Sequence, residues 1–233
     1  MGNFADILGD AGGLILSGDR ALLEIIGLSL YVTLSAVGFA CLIGLPLGAA
    51  VGALRFPGRG AATLAMNALM GLPPVVVGLV VYLLLSRAGP LGTLGLLYTP
   101  TAMIIAQTVL VTPIIAALTR QVIEDLNGEY AEQFASLGIG PGARIAALLW
   151  DGRFALVTVA LAGFGRAVAE VGAVIIVGGN IDHVTRVMTT AIALETSKGQ
   201  LELALALGLV LLVMAVSVNA AVMALRSGAR AYA

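Results

Sequence analysis

Two opposite charges stand four residues apart in a segment that is otherwise apolar. Arg166 and Glu170 lie within AGFGRAVAEVGAVIIVGGN, residues 162–180, where the other residues before Asn180 are small or hydrophobic. Residues four apart share one face of a helix, and each charge alone costs about 2.5–3.5 kcal/mol at the centre of a membrane helix. The spacing predicts either an ion pair that fixes helix packing or a path in which Arg166 attracts an anion through its forked donors.

The chain that holds these charges has the composition of an integral membrane protein. Of its 233 residues, 60% are hydrophobic and 11% are charged, and the mean hydropathy is +1.06, whereas soluble domains average about 25% charged residues. The net charge of −1 gives no indication of nucleic-acid binding. One cysteine and one histidine exclude a disulfide framework and the usual zinc sites.

Five apolar stretches are long enough to cross a bilayer, which takes about 20 residues. They cover residues 25–54, 61–86, 98–119, 154–177 and 203–225. Backbone groups in lipid must bond within their own segment, so the predicted fold class is all-α, with membrane lipid around it. Residues 22–233 form the predicted membrane domain. Residues 1–21 are too short to cross, and form either an amphipathic helix at the membrane surface or a loosely ordered terminus.

Small residues recur at helical spacing in the first apolar stretch. Gly44, Gly48 and Gly52 are four residues apart, and such a face lets two helix backbones approach closely. The alternative is an incidental repeat in a chain that has 30 glycines.

The basic residues between the spans indicate the orientation. One side would hold Arg55, Arg59, Arg120, Arg144, Arg153, Arg226 and Arg230, and the other Arg20, Arg87, Arg186 and Lys198. The side richer in basic residues is normally cytoplasmic. The N-terminus is therefore expected outside and the C-terminus inside.

The long polar loop at residues 120–153 lies on the predicted cytoplasmic side. Tyr130, Phe134 and Leu137 occupy positions i, i+4 and i+7, which predicts a helix with one apolar face. Gly138 stands where that helix would end, a Gly-Pro-Gly turn follows, and a second helix leads into the fourth span. The loop is either a plain connector or a helical projection that docks onto a partner.

The motif in this loop resembles the EAA loop of ABC importer permeases. Residues 132–138 read EQFASLG against the family core E-A-A-x-x-L-G, so Glu132, Leu137 and Gly138 match, and Ala135 stands at a free position. Glutamine and phenylalanine replace the two alanines. In the family this loop forms the coupling helix, which docks into a groove on the ATPase subunit, and the resemblance implies that role for these four residues.

Longer stretches carry the same resemblance from about Leu22 onward. SLYVTLSAVGFACLIGLPLGAAVG, MGLPPVVVGLVVYLLLSRAGPLG and FGRAVAEVGAVIIVGGNI are similar to the permeases of molybdate, tungstate and sulfate importers, and TRVMTTAIALETSKGQLELALALG is similar to the tungstate branch. The chain is identified on these stretches as a member of that group, which implies a MetI-like permease core. The implied substrate is an oxyanion, first tungstate, with molybdate or sulfate as alternatives.

The resemblance also implies partners. They are a second copy of the permease, two copies of an ATP-binding subunit and an extracytoplasmic oxyanion-binding protein, assembled at the inner (cytoplasmic) membrane of a bacterium or archaeon. No G-x-x-x-x-G-K-[ST] phosphate loop occurs, and the single lysine, Lys198, stands in TSKGQ. We therefore expect no cofactor and no catalytic residue in this chain, with ATP and Mg²⁺ bound by the ATPase.

Polar residues beyond the fourth span are candidates for an external gate. Asn180 follows the predicted outer end of the span. Thr189 and Thr190 are predicted to open a short helix, with AIAL after them, that turns back toward the path. The polar groups of these three residues, with Arg186, could meet an anion delivered from outside. The alternative is a solvated loop with a short interfacial helix.

Two other functional classes are alternatives to transport driven by ATP. An ion-coupled carrier or channel would use Arg166 and Glu170 as a relay, and would leave the EAA-like loop unexplained. An intramembrane enzyme is disfavoured by the single histidine, the single cysteine and the lack of paired acids in the spans, although a serine mechanism stays open.

Overall fold

The computed structural model describes residues 4–231, and among these it contains helices and no β-strand. The helices are α1 (Phe4–Ser17), α2 (Arg20–Ala53), α3 (Arg59–Met70), α4 (Pro74–Leu85), α5 (Pro100–Ser136), α6 (Pro141–Asp151), α7 (Arg153–Val168), α8 (Gly172–Gly178), α9 (Met188–Lys198) and α10 (Leu201–Ala231), with a short 3-10 helix at Gly92–Leu94. The predicted all-α fold is confirmed. The outermost residues of the predicted segments 1–21 and 22–233, namely 1–3 and 232–233, lie outside the described residues.

The described helices allow between three and five membrane crossings. α2, α5 and the part of α10 up to Val218 are each long and apolar enough to cross alone. Two further crossings are obtained only if the consecutive pairs α3–α4 and α6–α7 are each counted as one. Four of the predicted spans overlap α2, the pair α3–α4, α5 and α10, whereas the predicted span 154–177 overlaps α7 and α8 and does not include α6.

The prediction of an unbroken helix over residues 61–86 is wrong. α3 ends at Met70, and α4 begins at Pro74. The reason is local, because a proline disfavours helical geometry in the residue before it, and Pro73 follows Leu72 directly. Pro74 itself suits the first turn of a helix, where its missing N–H is not needed.

The polar loop at 120–153 is also arranged differently from the expectation. Its first helix is the end of α5, a single helix of 37 residues, rather than a separate short one. Its second helix, α6, starts at Pro141 and meets α7 at Gly152 with a bend of 76°.

The chain divides into two compact units. Unit 1 combines the described residues up to Ser35 with Pro74–Gln107 and Val168–Val218. Unit 2 combines Ala36–Pro73, Thr108–Ala167 and the residues from Asn219 onward. In unit 1 a buried cluster that includes Leu22, Met188 and Leu207 joins α1, the start of α2, α9 and α10.

Within unit 2, α2 and α5 are in close contact through glycines. A Cβ placed on Gly44 would lie 2.9 Å from Ile115 Cγ2, and one on Gly52 would lie 2.8 Å from the Arg120 carbonyl oxygen. These glycines therefore let the backbone of α2 touch α5, as the four-residue spacing predicted.

We expect Gly48→Ala to lower the free energy of unfolding by about 1–3 kcal/mol, because the added methyl group overpacks this contact. It would overlap the Ala116 carbonyl oxygen and lie 2.7 Å from Thr119 Cβ. Gly38→Ala is the control, because it lies on the same helix and its Cβ would meet nothing within 4 Å. The measurement is unfolding of the purified protein in detergent, and equal stability of the two variants would contradict the proposed packing.

Candidate functional site

The four residues that the resemblance assigns to coupling lie together at the end of α5. Glu132 and Ala135 belong to its last turns, and Leu137 and Gly138 follow directly. All four are exposed, and Leu137 keeps 73% of its surface accessible. An exposed leucine beside an exposed carboxylate provides apolar area and a charge for a partner surface.

The chain leaves α5 through a capping turn that glycine permits. Gly138 has a φ of 61°, its N–H donates to the Ala135 carbonyl at 3.3 Å, and the Ile139 N–H donates to the Phe134 carbonyl at 3.0 Å. This pair of bonds, with a left-handed residue just beyond the helix, is the Schellman motif. The prediction that a helix ends at Gly138 is confirmed.

Beneath the exposed surface, the ends of α5 and α6 pack on the end of α2. The buried centre consists of Ala49, Ala53, Ile123 and Leu148. Tyr130 and Phe134 pack against it, and their ring centroids are 5.9 Å apart. The predicted apolar face is thus confirmed for these two aromatic residues. The prediction that Leu137 belongs to this apolar face is wrong, because α5 ends at Ser136 and Leu137 is exposed.

Charged residues that sequence reasoning missed hold the same region together. Arg59 donates through Nε to the Val51 carbonyl at 2.8 Å and through Nη2 to Glu124 Oε1 at 3.0 Å. Glu124 also pairs with Arg120, four residues before it on α5. That spacing was readable from the sequence. Arg59 is 65 residues from Glu124, and no local pattern indicates their contact.

The helical geometry assumed for Arg166 and Glu170 is wrong. α7 ends at Val168 and α8 begins at Gly172, so Glu170 lies in a break and the predicted span 154–177 is interrupted. Arg166 lies in the last turn of α7, where a cation complements the free carbonyls of a helix end. The functional role of each residue stays a prediction.

Glu170 organises the break through its side chain and its backbone. It is 4% exposed. Its Oε1 accepts a hydrogen bond from the Ala173 N–H at 3.0 Å, and its carbonyl accepts one from Thr189 Oγ1 at 2.9 Å. Glu170 therefore ties the start of α8 to the start of α9, and these bonds offset part of the cost of burying polar groups.

The surroundings of Glu170 within unit 1 are polar but tightly filled. A cavity of about 10 Å³ lies beside Glu170, and its polar lining residues are Ser29, Thr33, Gln107, Glu170 and Thr189. That volume admits one water molecule, and a tetrahedral oxyanion is too large for it. Among the described residues, no group of three or more His, Cys, Asp or Glu side chains is placed to hold a metal ion.

The remaining gate candidates are engaged with the backbone of unit 1. Asn180 Nδ2 donates to the Thr190 carbonyl at 3.3 Å. Thr190 Oγ1 donates to the Val187 carbonyl at 3.1 Å and accepts from the Val187 N–H at 3.2 Å. α9 begins at Met188, so the helix predicted to open near Thr189 and Thr190 is confirmed. Their role as an external gate stays a prediction.

The apolar helices and the exposed loop agree with a comparison to known families. A family described as "binding-protein-dependent transport system inner membrane component" matches residues 44–230, which include both the loop and the break at Glu170. The chain belongs to this family. As an inner membrane component, it supplies the membrane-crossing part of such a system.

Individual relatives of this inner membrane component cover most of its length. It is 43% identical over 205 residues to a probable anion ABC transporter permease of Haloferax volcanii, which covers 85% of this chain and 88% of the relative. It is 41% identical over 213 residues to a tungstate uptake system permease of Peptoclostridium acidaminophilum, covering 91% and 93%. A sulfate transport system permease of Synechocystis is 27% identical over 198 residues, covering 80% and 70%.

We expect Thr189→Val to lower the free energy of unfolding by about 1–2 kcal/mol, because the buried Glu170 carbonyl loses its donor. Thr189→Ser is the matched control, since it keeps the hydroxyl and should lose less. Denaturant unfolding of the inner membrane component in detergent measures the difference. Unchanged stability together with lost transport would assign the hydroxyl to contact with the anion instead.

Proposed function

We propose that this chain is the permease subunit of an ATP-driven importer for an oxyanion, and that the oxyanion is tungstate. The observation that carries the proposal is the 41% identity to a tungstate uptake permease across 91% of the chain. The similarity to a sulfate permease is lower, at 27%. Molybdate and sulfate are therefore alternative substrates within the same class.

Two copies of the permease enclose the path in this proposal, because five crossings make only a small pore wall. ATP and Mg²⁺ bind to a separate ATPase subunit, since the sequence has no phosphate loop. An extracytoplasmic binding protein delivers the anion and makes most of the substrate choice. The description of the family as binding-protein-dependent supports this assembly.

The ATPase docks on the surface formed by Glu132, Ala135, Leu137 and Gly138. Exposure of all four residues supports this assignment, and so does the packing of Phe134 and its neighbours that holds the surface in place. The loop is then cytoplasmic, with the N-terminus outside and the C-terminus inside. An ion-coupled carrier would leave the EAA-like loop at residues 132–138 unexplained.

Arg166 contacts the anion on its way through the membrane in this proposal, because a permanently charged guanidinium suits an oxyanion. Glu170 has a positioning role, which its bonds to the starts of α8 and α9 support. Thr189, Thr190 and Asn180 shape the outer end of the path through their backbone contacts.

The substrate is tested by ATP hydrolysis of the assembled complex in lipid vesicles, with the binding protein supplied in tungstate-, molybdate- or sulfate-loaded form. We expect tungstate to stimulate hydrolysis at the lowest concentration, and the complex without binding protein to be the baseline. If only sulfate or only molybdate stimulates hydrolysis, that anion replaces tungstate as the proposed substrate. Anion uptake driven by an ion gradient, without the ATPase, would overturn the importer class.

Coupling is tested by Gly138→Val, which places a β-branched residue at a φ of 61°. Left-handed geometry costs a non-glycine residue about 1–2 kcal/mol, so the cap should rearrange and the ATPase should bind less well. Gly140→Val is the control, because Gly140 has an extended backbone with φ −68° and ψ 161° and open space around it. Capture of the ATPase by each membrane-inserted variant is measured, and equal capture would contradict the docking assignment.

A further inference from the structure

A large basic cavity lies within unit 2, where α2 ends and α3 begins beside α5 and α6. Its volume is about 740 Å³. Three arginines, Arg55, Arg59 and Arg144, line it, and Glu124 is the acidic residue among its lining residues. With three positive charges against one negative, the described lining carries a net charge of +2, which favours an anionic ligand.

The single carboxylate cannot neutralise these arginines, because two guanidinium groups already share it. Glu124 accepts from Arg59 through Oε1 at 3.0 Å and pairs through Oε2 with Arg120. Positive charge is therefore left over in the cavity.

Two of the three lining arginines are held in place before any ligand arrives. Arg59 donates to the Val51 carbonyl at 2.8 Å. Arg144 donates through Nε to Asn127 Oδ1 at 2.6 Å, and its guanidinium lies 5.4 Å from the centroid of the Phe134 ring. A ligand that binds to guanidinium groups already ordered in this way has less side-chain entropy to remove.

Arg55 differs from the other two arginines. It is exposed, and within the part of the chain that the structure describes it makes no hydrogen bond or ion pair. Phe56, next to it, also lines the cavity and is 40% exposed. The exposed part of the lining therefore combines a cation without a partner among the described residues and an apolar ring, close to the end of the apolar helix α2.

We propose that this cavity binds a phosphate group, with Arg55, Arg59 and Arg144 as its ligands. Guanidinium groups bind phosphate through paired, charge-assisted hydrogen bonds. The position at the end of a membrane-crossing helix favours the headgroup of an anionic phospholipid as the source, since basic pockets of this kind bind such headgroups. Phe56 then lies beside the glycerol and acyl region of that lipid.

The test compares Arg55→Gln with Arg87→Gln in the full-length permease. Both arginines are exposed and lack a partner among the described residues, and Arg87 lies outside the cavity, so each variant removes one equivalent charge. Binding of phosphatidylglycerol and phosphatidylcholine is titrated by native mass spectrometry. We expect Arg55→Gln to weaken the first phosphatidylglycerol site about fivefold, the factor that corresponds to about 1 kcal/mol per basic residue. Arg87→Gln should bind as the wild type does.

A second arm distinguishes the source of the phosphate. The permease in phosphatidylcholine nanodiscs is titrated with inorganic phosphate, and its melting temperature is followed. Stabilisation by phosphatidylglycerol but not by inorganic phosphate supports the lipid. Stabilisation by inorganic phosphate that Arg55→Gln removes supports a phosphate site with a soluble ligand.

Two results would overturn the proposal. One is phosphatidylglycerol binding and phosphate response that are the same in Arg55→Gln and the wild type. The other is a loss of ATPase capture in Arg55→Gln with lipid binding unchanged, which would make the cavity a protein-docking site. Arg55→Lys keeps the charge without the fork, and we expect it to retain more phosphatidylglycerol binding than Arg55→Gln.

Discussion

The close contact between α2 and α5 is the constraint on which the rest of unit 2 depends. Backbone touches backbone there because Gly44, Gly48 and Gly52 carry no side chain. Within a membrane, such contact is a main source of helix association, since lipid and side chains are equally apolar. It also places the last turn of α2 against the part of α5 that carries Glu124. Arg59 can therefore bond to the Val51 carbonyl on α2 and to Glu124 on α5.

The exposed loop is stabilised by that same arrangement. Tyr130 and Phe134 on α5 pack with α6 around buried residues of α2, and Arg144 is held by Asn127 beneath them. Glu132 and Leu137 can therefore stay at the surface, because apolar burial is supplied by their neighbours. The docking role proposed for the loop requires such a base, and here the base consists of side-chain contacts among three helices.

Much of this could be predicted from the sequence, where the signal is local. Length and hydropathy indicated the spans, four-residue spacing indicated the glycine face, and Gly138 indicated the end of a helix. The Leu-Pro-Pro sequence at Leu72–Pro74 was a local signal for the first break, and it was overlooked.

The break at Glu170 has no proline, and its geometry depends on Thr189, 19 residues away. The contact of Arg59 with Glu124 spans 65 residues. Neither long-range contact leaves a periodic pattern, and so the polar interior could not be predicted.

The bonds of Arg59 imply an order of events during synthesis of the chain. Its acceptor on α2, the Val51 carbonyl, is eight residues away and is present as soon as Arg59 is made. Glu124 follows 65 residues later, which takes about 3–13 s at a translation rate of roughly 5–20 residues per second. During that interval Arg59 has its acceptor on α2 but not its acceptor Glu124 on α5. Packing of α5 against α2 both supplies Glu124 to Arg59 and covers the glycine face.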